Sequence, residues 1–252
     1  MRHPTHLPEH TKGTTMTTSQ AIGMASRRGS RDHNADAAYV HHGANGTTAA
    51  VIDGTGNSAE LAHLTDFLAQ LAARTGSRHG GMAGLIAAGD LLADDEHEAA
   101  AVLATMPADG DGPAVVSWIG DCRAYHWNGD DLRQYTTDHT MGHQLRASGG
   151  TPAEIAATHD HWLLIGLSAA TAATVRQVWI PDHDQDLTGG LVLLTTDGVH
   201  DAVAHADLVA LLRTHTCPQQ LANAIVSACP DDNATGYRDD ATVVVLPGRC
   251  VI

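Results

Sequence analysis

Apolar residues fall into short runs separated by polar, glycine-rich turns, and the composition of these runs predicts the strands. Small and β-branched residues that alternate with polar ones, or that run without interruption, are typical of strands. The predicted strands cover residues 21–26, 37–42, 49–52, 115–120, 123–127, 132–135, 162–167, 175–180, 191–196 and 242–246. An Asn128-Gly129 pair gives the signal of a tight hairpin. We therefore expect the strands of residues 115–135 to be antiparallel.

Helices are predicted where apolar residues recur at intervals of three and four. Leu61, Leu64, Leu68 and Leu71 show this spacing and predict a helix over residues 58–73. A second helix is expected to open at Gly80-Gly81, with helical spacing that continues to Pro107. Shorter helices are predicted over residues 138–148, 206–213 and 218–228, with an irregular flap over residues 149–161. The expected fold is α+β, a four-layer αββα sandwich of two stacked, mainly antiparallel sheets flanked by helix pairs.

The length and composition favour one domain. The chain has 252 residues, of which 43% are hydrophobic, enough to bury a core. Residues 1–18 are polar and aperiodic and are expected to form a disordered leader, with Met16 as an alternative start. The leader histidines, His3, His6 and His10, could be solvated or bind a metal weakly. Residues 19–252 are expected to form a single domain.

Charge and cysteine usage exclude several classes of function. With 14 basic and 29 acidic residues the net charge is -15, which disfavours nucleic acid as a partner and suits a site that collects divalent cations. No run approaches the roughly 18 apolar residues of a membrane span, so we expect no membrane partner and a cytoplasmic protein. The four cysteines are widely spaced and form no Cys-x-x-Cys, which indicates free thiols in a reducing compartment.

Aspartates stand at the ends of three predicted strands, in Asp53-Gly54, Asp197-Gly198 and Gly120-Asp121. A single Asp-Gly pair also marks an ordinary turn, so one alone would indicate little. Three of them favour a site at which carboxylates converge, and carboxylate and carbonyl oxygens are the ligands that Mg²⁺ and Mn²⁺ prefer. We expect Asp53, between an apolar strand and two glycines, to lie at the centre of this site.

Six short motifs follow one another along the chain. They are Arg31-x-x-Asn34-x-Asp36, Asp53-Gly54-x-Gly56, Gly120-Asp121-Cys122-Arg123, Thr136-x-Asp138-His139, Thr196-Asp197-Gly198 and Arg238-Asp239-Asp240-Ala241-Thr242. In this order and spacing they resemble the metal-dependent protein phosphatases of the PP2C (PPM) family, bacterial branch, over residues 21–246. The resemblance implies hydrolysis of phosphoserine or phosphothreonine in proteins by a hydroxide bound to a two-metal centre of Mg²⁺ or Mn²⁺. Its partners would be phosphorylated proteins, the products of a Ser/Thr kinase.

The resemblance also assigns roles to individual residues. Asp53 would bridge the two ions, Gly54 would supply a carbonyl oxygen, and Asp197 and Asp239 would complete the metal ligands. The remaining matches are Asp36, acting through metal-bound water, Asp121, at the position of a third and looser ion, and Arg31, as the arginine that binds phosphate. Asp138 and His139 match a motif that braces the loop near the metals. Catalysis is thus expected from Arg31, Asp36 and Asp53.

Several residues leave alternatives open. Ala35, Asn57 and Asp240 replace a glutamate, a glycine and an asparagine that are usual in the family, and these departures keep a second function possible: a phosphatase-like regulatory module of low activity that binds a phosphoprotein or a kinase. Cys122 is interpreted as a small buried residue or a catalytic thiol. His139 and His143 are spaced for zinc on a helix, but without the glutamate of a zinc protease motif. Thr55 stands where some members carry histidine.

Overall fold

Two five-stranded antiparallel sheets form the centre of the protein. The computed structural model describes residues 21–44, 46–93, 96–108, 112–180, 190–230 and 236–248, so the predicted leader lies outside the described residues. In the first sheet the order is β1 (Gly23–Arg27), β10 (Ala241–Pro247), β9 (Leu191–Thr195), β6 (Arg123–Trp127) and β7 (Leu132–Gln134). In the second it is β2 (Asp36–Gly43), β3 (Gly46–Gly54), β4 (Ala99–Pro107), β5 (Ala114–Ile119) and β8 (Arg176–Ile180).

Helices cover the outer face of each sheet. Helices α1 (Ala59–His79) and α2 (Gly81–Gly89) pack on the second sheet, where Leu68 and Leu85 are fully buried against Ile52. Helices α6 (His205–Thr214) and α7 (Pro218–Ala228) pack on the first sheet. A third apolar cluster, which includes Val102 and Val244, lies between the sheets. The predicted α+β sandwich of two stacked sheets flanked by helices is therefore confirmed.

The segment between β7 and β8, which includes the flap of residues 149–161, consists mostly of short helical elements. It contains α3 (Met141–Ser148), α4 (Ala153–Ala157) and a 3₁₀ turn (Leu167–Ala169). Helix α3 begins after Thr140, whose hydroxyl accepts a hydrogen bond from the His143 N–H at 3.3 Å. The strand predicted over residues 162–167 is wrong, since Leu163 makes only an isolated bridge with Thr140. No helix in the described part of the chain has the length and apolar composition to span a membrane.

The helix predicted to continue to Pro107 is also wrong, because the chain leaves α2 at Gly89 and returns as the central strand β4. Both faces of β4 are buried: Ala101 and Leu103 pack on the helix side, and Ala100 and Val102 pack on the other sheet. A strand buried on both faces carries no polar alternation, so its apolar run cannot be told from a buried helix by periodicity.

A single antiparallel group was predicted for the strands of residues 115–135. In the structure only β6 and β7 pair with each other, as a hairpin, and β5 lies in the other sheet. The hairpin of β6 and β7 is confirmed, with Trp127 opposite Leu132. Strand β5 belongs to the other sheet, and Gly120, with φ of +91°, turns the chain across. A Cβ at this glycine would also lie 2.4 Å from the Ala100 side chain. This crossing places Asp121 at the ends of both sheets.

Candidate metal centre

Six residues predicted from the motifs line one open pocket of about 300 Å³. They are Arg31, Asp53, Gly54, Asp121, Asp197 and Asp239. Asp53 is the penultimate residue of β3. Asp197 is the first residue of the short helix α5 (Asp197–His200), which follows β9 after Thr196. Asp239 lies two residues before the start of β10. The stacking of the two sheets therefore brings together carboxylates that are far apart in sequence.

Burial and the repulsion between neighbouring carboxylates raise the pKa values of these carboxyl groups. Burial raises the pKa of Asp53 well above its ordinary value, and the neighbouring Asp197 raises it further. The pKa of Asp197 is raised to about 6, first by burial and then by Asp239. The pKa of Asp121 is raised to about 7 by burial and by Asp197. Such crowding of oxygen donors is what a hard divalent cation would relieve, so the residues present fit a Mg²⁺ or Mn²⁺ centre.

Asp36 lies directly opposite Asp53 in the pairing of β2 with β3 but lines a different cavity, beside Ser26 and Asn34. The Thr196 hydroxyl donates a hydrogen bond of 2.8 Å to Asp36 Oδ2 and accepts one from the Thr242 N–H at 3.0 Å. Burial raises the pKa of Asp36 well above its ordinary value. The carboxylate thus lies beside Asp53 but outside the candidate metal pocket, and its action through water stays a prediction.

Arg31 supplies a positive charge within the pocket. Its guanidinium lies 2.8 Å from Asp239 Oδ1, and its central carbon lies 5.7 Å from the centre of the Tyr237 ring. The side chain of Arg31 keeps 28% of its surface exposed. A forked donor beside a cluster of carboxylates, still open to solvent, is suited to receive two oxygens of a phosphate.

The loop that carries Arg31 is fixed by Asp240. The two carboxylate oxygens of Asp240 accept hydrogen bonds from the backbone N–H groups of Gly29, at 2.7 Å, and of Ala35, at 2.9 Å. An asparagine would present an NH₂ group in place of one of these two oxygens, so it could not accept both bonds in this arrangement. Asp240 therefore explains one departure from the family pattern, because it holds both ends of the Arg31 loop.

The bracing role expected of Asp138 and His139 agrees with their contacts. Asp138 accepts hydrogen bonds of 3.0 and 2.6 Å from the Arg123 guanidinium. The His139 ring accepts one of 3.2 Å from the Gly120 N–H, and the His139 N–H donates one of 3.0 Å to the Gly120 carbonyl. These bonds hold the turn that carries Asp121.

Cys122 is 1% exposed, and burial raises the pKa of its thiol well above the ordinary value. A thiol that is buried and stays protonated is a poor nucleophile. This supports the interpretation of Cys122 as a small buried residue.

Three polar residues that were not predicted lie in the pocket or beside it. His161 and Tyr237 line it, and ligand atoms of His161, Asp197 and Asp201 lie within 4.8 Å of one another. Asp201 could have been found, because it follows Asp197 by four residues, one helical turn. His161 and Tyr237 carry no such signal, since their positions depend on the path of the flap and of the loop before β10.

Glu98 joins the segment that follows the flap to the loop that follows Asp53. Its carboxylate accepts a hydrogen bond from the Ser168 N–H at 3.0 Å, and its carbonyl accepts one from the Thr55 N–H at 2.9 Å. Ser168, after the flap, and Thr55, after Asp53, are thus both hydrogen-bonded to Glu98.

The raised pKa values predict how the metal-free protein responds to pH. Asp197 and Asp121 hold protons up to about pH 6 and about pH 7 in the folded state, whereas an unfolded aspartate ionises near 3.8. The folded state therefore binds more protons between these values, and the free energy of unfolding should fall as pH rises from 5 to 7.5, by an amount of order a few kcal/mol. Urea denaturation in EDTA measures this change.

The matched variant is Asp121→Asn, which should flatten this dependence because one of the two groups no longer titrates. Added Mn²⁺ should offset the loss in the wild type, since the ion binds the ionised carboxylates of the folded state. A free energy of unfolding that stays level or rises from pH 5 to 7.5 in EDTA would show that these carboxylates are not crowded.

Comparison with known proteins gives relatives of one kind. No family model matches the chain. A serine/threonine phosphatase stp of Listeria innocua is 27% identical over 134 residues, 52% of this chain and 50% of the relative. The stp of Listeria monocytogenes is 26% identical over the same length. The chain thus spans about half the length of the curated relatives it matches.

The solved structures cover nearly the whole chain. The PPM Ser-Thr phosphatase MsPP of Mycobacterium smegmatis superposes with a TM-score of 0.69 at 24% identity, covering 90% of this chain and 97% of its own. The phosphatase Stp1 of Staphylococcus aureus gives 0.73 at 18% identity, covering 97% and 100%. The catalytic domain of PstP, solved with two manganese ions, gives 0.67 at 21% identity, covering 89% and 96%.

The fold is therefore that of the PPM-type bacterial serine/threonine phosphatases. The curated relatives are also named serine/threonine phosphatases, so the resemblance first carried by the six motifs is confirmed.

Proposed function

We propose that the protein hydrolyses phosphoserine and phosphothreonine in proteins with the help of two Mg²⁺ or Mn²⁺ ions. The observation that carries this proposal is the single pocket in which Asp53, Asp121, Asp197 and Asp239 meet beside Arg31. The names of the relatives support the same reaction, and so does the PstP structure with its two manganese ions. Phosphorylated proteins, the products of a Ser/Thr kinase, would be the substrates, in the cytoplasm.

In this proposal each residue of the site has a separate role. Asp53, Asp197, Asp239 and the Gly54 carbonyl hold the cation pair, and Asp121 contributes to a third, looser position near His161. When bound, such a pair supplies an activated water and positive charge that stabilises the pentavalent transition state. Arg31 would bind two phosphate oxygens and so orient the phosphate in the pocket. Asp36, held by the Thr196 hydroxyl, fixes water on the inner side of the site.

An assay with para-nitrophenyl phosphate tests this function against the regulatory alternative. Purified protein should release nitrophenol in Mn²⁺ and stop when EDTA is added. Binding of a phosphoserine peptide with no turnover over a broad range of Mn²⁺ would instead identify a phosphatase-like binding module.

Thr55 predicts an unusual dependence on the leaving group. It lines the pocket beside Asp53, and a threonine hydroxyl has too high a pKa to protonate a departing alkoxide at neutral pH. Where no metal-bound water supplies that proton instead, the wild type should act much faster on para-nitrophenyl phosphate, whose leaving group needs no proton, than on a phosphoserine peptide at equal binding. Thr55→His should raise the rate on the peptide about 10-fold or more relative to the aryl ester.

Thr55→Asn is the matched control, because it offers similar bulk without an acid near neutral pH, and it should leave the ratio unchanged. The measurement is the single-turnover rate on each substrate at saturating Mn²⁺. Equal rates on both substrates in the wild type, with a ratio that histidine does not alter, would mean that Thr55 does not face the leaving group.

A further inference from the structure

A second groove, of about 350 Å³, adjoins the metal-binding pocket. The two share His161, Asp197, Tyr237 and Asp239, so the groove continues the pocket along the protein surface. Its outer walls are Ala202, after α5, and Pro230, after α7. A polypeptide whose phosphate lies beside Arg31 must leave the pocket across the surface, and an extended chain advances about 3.3–3.6 Å per residue. A residue close to the phosphorylated one can therefore reach this groove.

Three of the charged groups around the groove have partners within the chain. Asp239 pairs with Arg31 at 2.8 Å. Asp201 lies 3.7 Å from the His161 ring. Arg238 donates a hydrogen bond of 3.0 Å to the Arg28 carbonyl. These pairs leave Asp201 and His161 as the exposed polar groups of the groove, with 43% and 68% of their side chains exposed.

The surface left for an incoming group is apolar. Tyr237 is 41% exposed, and its ring stands at the boundary between the pocket and the groove. Ala202 is half-buried and Pro230 is exposed, and both have side chains made only of hydrocarbon. An exposed apolar concavity that continues a polar site is suited to bind an apolar side chain.

We propose that this groove binds a large apolar side chain of the substrate, such as leucine or phenylalanine, one or two residues from the phosphorylated serine or threonine. The proposal rests on the proposed function and adds a determinant of substrate choice. Tyr237, Ala202 and Pro230 form the binding surface. The side chain that they bind becomes part of what distinguishes one phosphoprotein from another.

The test is a set of phosphoserine peptides with alanine at all positions from two before to two after the phosphoserine, in which one position is changed to leucine, phenylalanine, lysine or glutamate. The readout is kcat/KM on each peptide divided by kcat/KM on para-nitrophenyl phosphate, which cancels changes in the metal centre. At one or two positions leucine or phenylalanine should exceed alanine by about 10-fold. Lysine and glutamate should give no gain.

Two variants assign the preference to the groove. Ala202→Trp fills it and Tyr237→Ala removes its inner wall, so both should abolish the advantage of leucine. Ala210→Trp, an equally bulky change at an exposed position of α6, should retain it. Equal ratios for all peptides, a preference for lysine or glutamate, or a leucine preference that survives both groove variants would overturn the proposal.

These outcomes are separate from the failure of the proposed function. Turnover of para-nitrophenyl phosphate without any side-chain preference overturns the groove alone, whereas no turnover of any substrate overturns the proposed function. In that case fluorescence anisotropy of the same peptides, labelled and mixed with protein and Mn²⁺, makes the same comparison by affinity. Leucine peptides that bind no more tightly than alanine peptides would then overturn the groove.

Discussion

Asp53→Asn is expected to reduce phosphate release by more than about 100-fold while the protein still folds. Burial raises the pKa of Asp53, and the carboxylates of Asp197, Asp36, Asp121 and Asp239 raise it further. The amide keeps the size of the side chain but removes the negative charge that two cations would share. Turnover of para-nitrophenyl phosphate at saturating Mn²⁺ measures the loss.

The same substitution should stabilise the metal-free protein, because it removes one charge from a crowded, buried cluster. Urea denaturation in EDTA at pH 7.5 should show a higher free energy of unfolding for Asp53→Asn than for the wild type. Asp90→Asn, at an exposed position after α2, is the matched control and should change neither quantity. Activity above about a tenth of the wild type would mean that Asp53 does not bridge the ions.

Arg31→Ala is expected to lower kcat by about 100-fold, the usual effect of removing one group that stabilises charge in a transition state. Arg31→Lys keeps the charge but loses the fork of donors, so it should recover only part of the rate. The two variants should fold normally, since the loop is held by Asp240 through backbone groups. Steady-state kinetics on a phosphoserine peptide separates kcat from KM.

Arg28 offers the control, because it lies in the same loop but is exposed and donates its hydrogen bond to the Asp32 carbonyl. Arg28→Ala should keep kcat within about twofold of the wild type, as is usual for surface substitutions. If Arg31→Ala and Arg28→Ala have equal effects, Arg31 does not contact the transferred phosphate.

The architecture could be predicted from the sequence because the elements that define it carry local signals. The leucines of α1 repeat at helical spacing, and the span predicted for α7, residues 218–228, is the one observed. The path of β4 could not be predicted, since its apolar run is buried on both faces and has no period of its own. The division of β5 and β6 between two sheets also escaped prediction, because pairing depends on residues distant in sequence.

The pocket shows the same limit. Asp53, Asp121 and Asp197 could be located because each stands where an apolar run stops, at a turn marked by glycine. Tyr237 and His161 reach the site through loop and flap geometry, for which no pattern in the sequence exists. In the sequence, Ala35 and Asp240 are departures from the family motifs. In the structure Ala35 is 1% exposed, and its backbone N–H donates a hydrogen bond to the Asp240 carboxylate. Only the folded structure brings these two residues together.

The most direct test of the central claim is a Mn²⁺ titration of phosphate release from a phosphoserine peptide by the purified full-length chain. Phosphate release should be absent in EDTA, rise with Mn²⁺ to saturation, and remain absent for Asp53→Asn at every concentration. Release that is independent of Mn²⁺ and EDTA, or no release at any Mn²⁺ concentration from a wild-type protein that is shown to be folded, would contradict a metal-dependent phosphatase centred on Asp53.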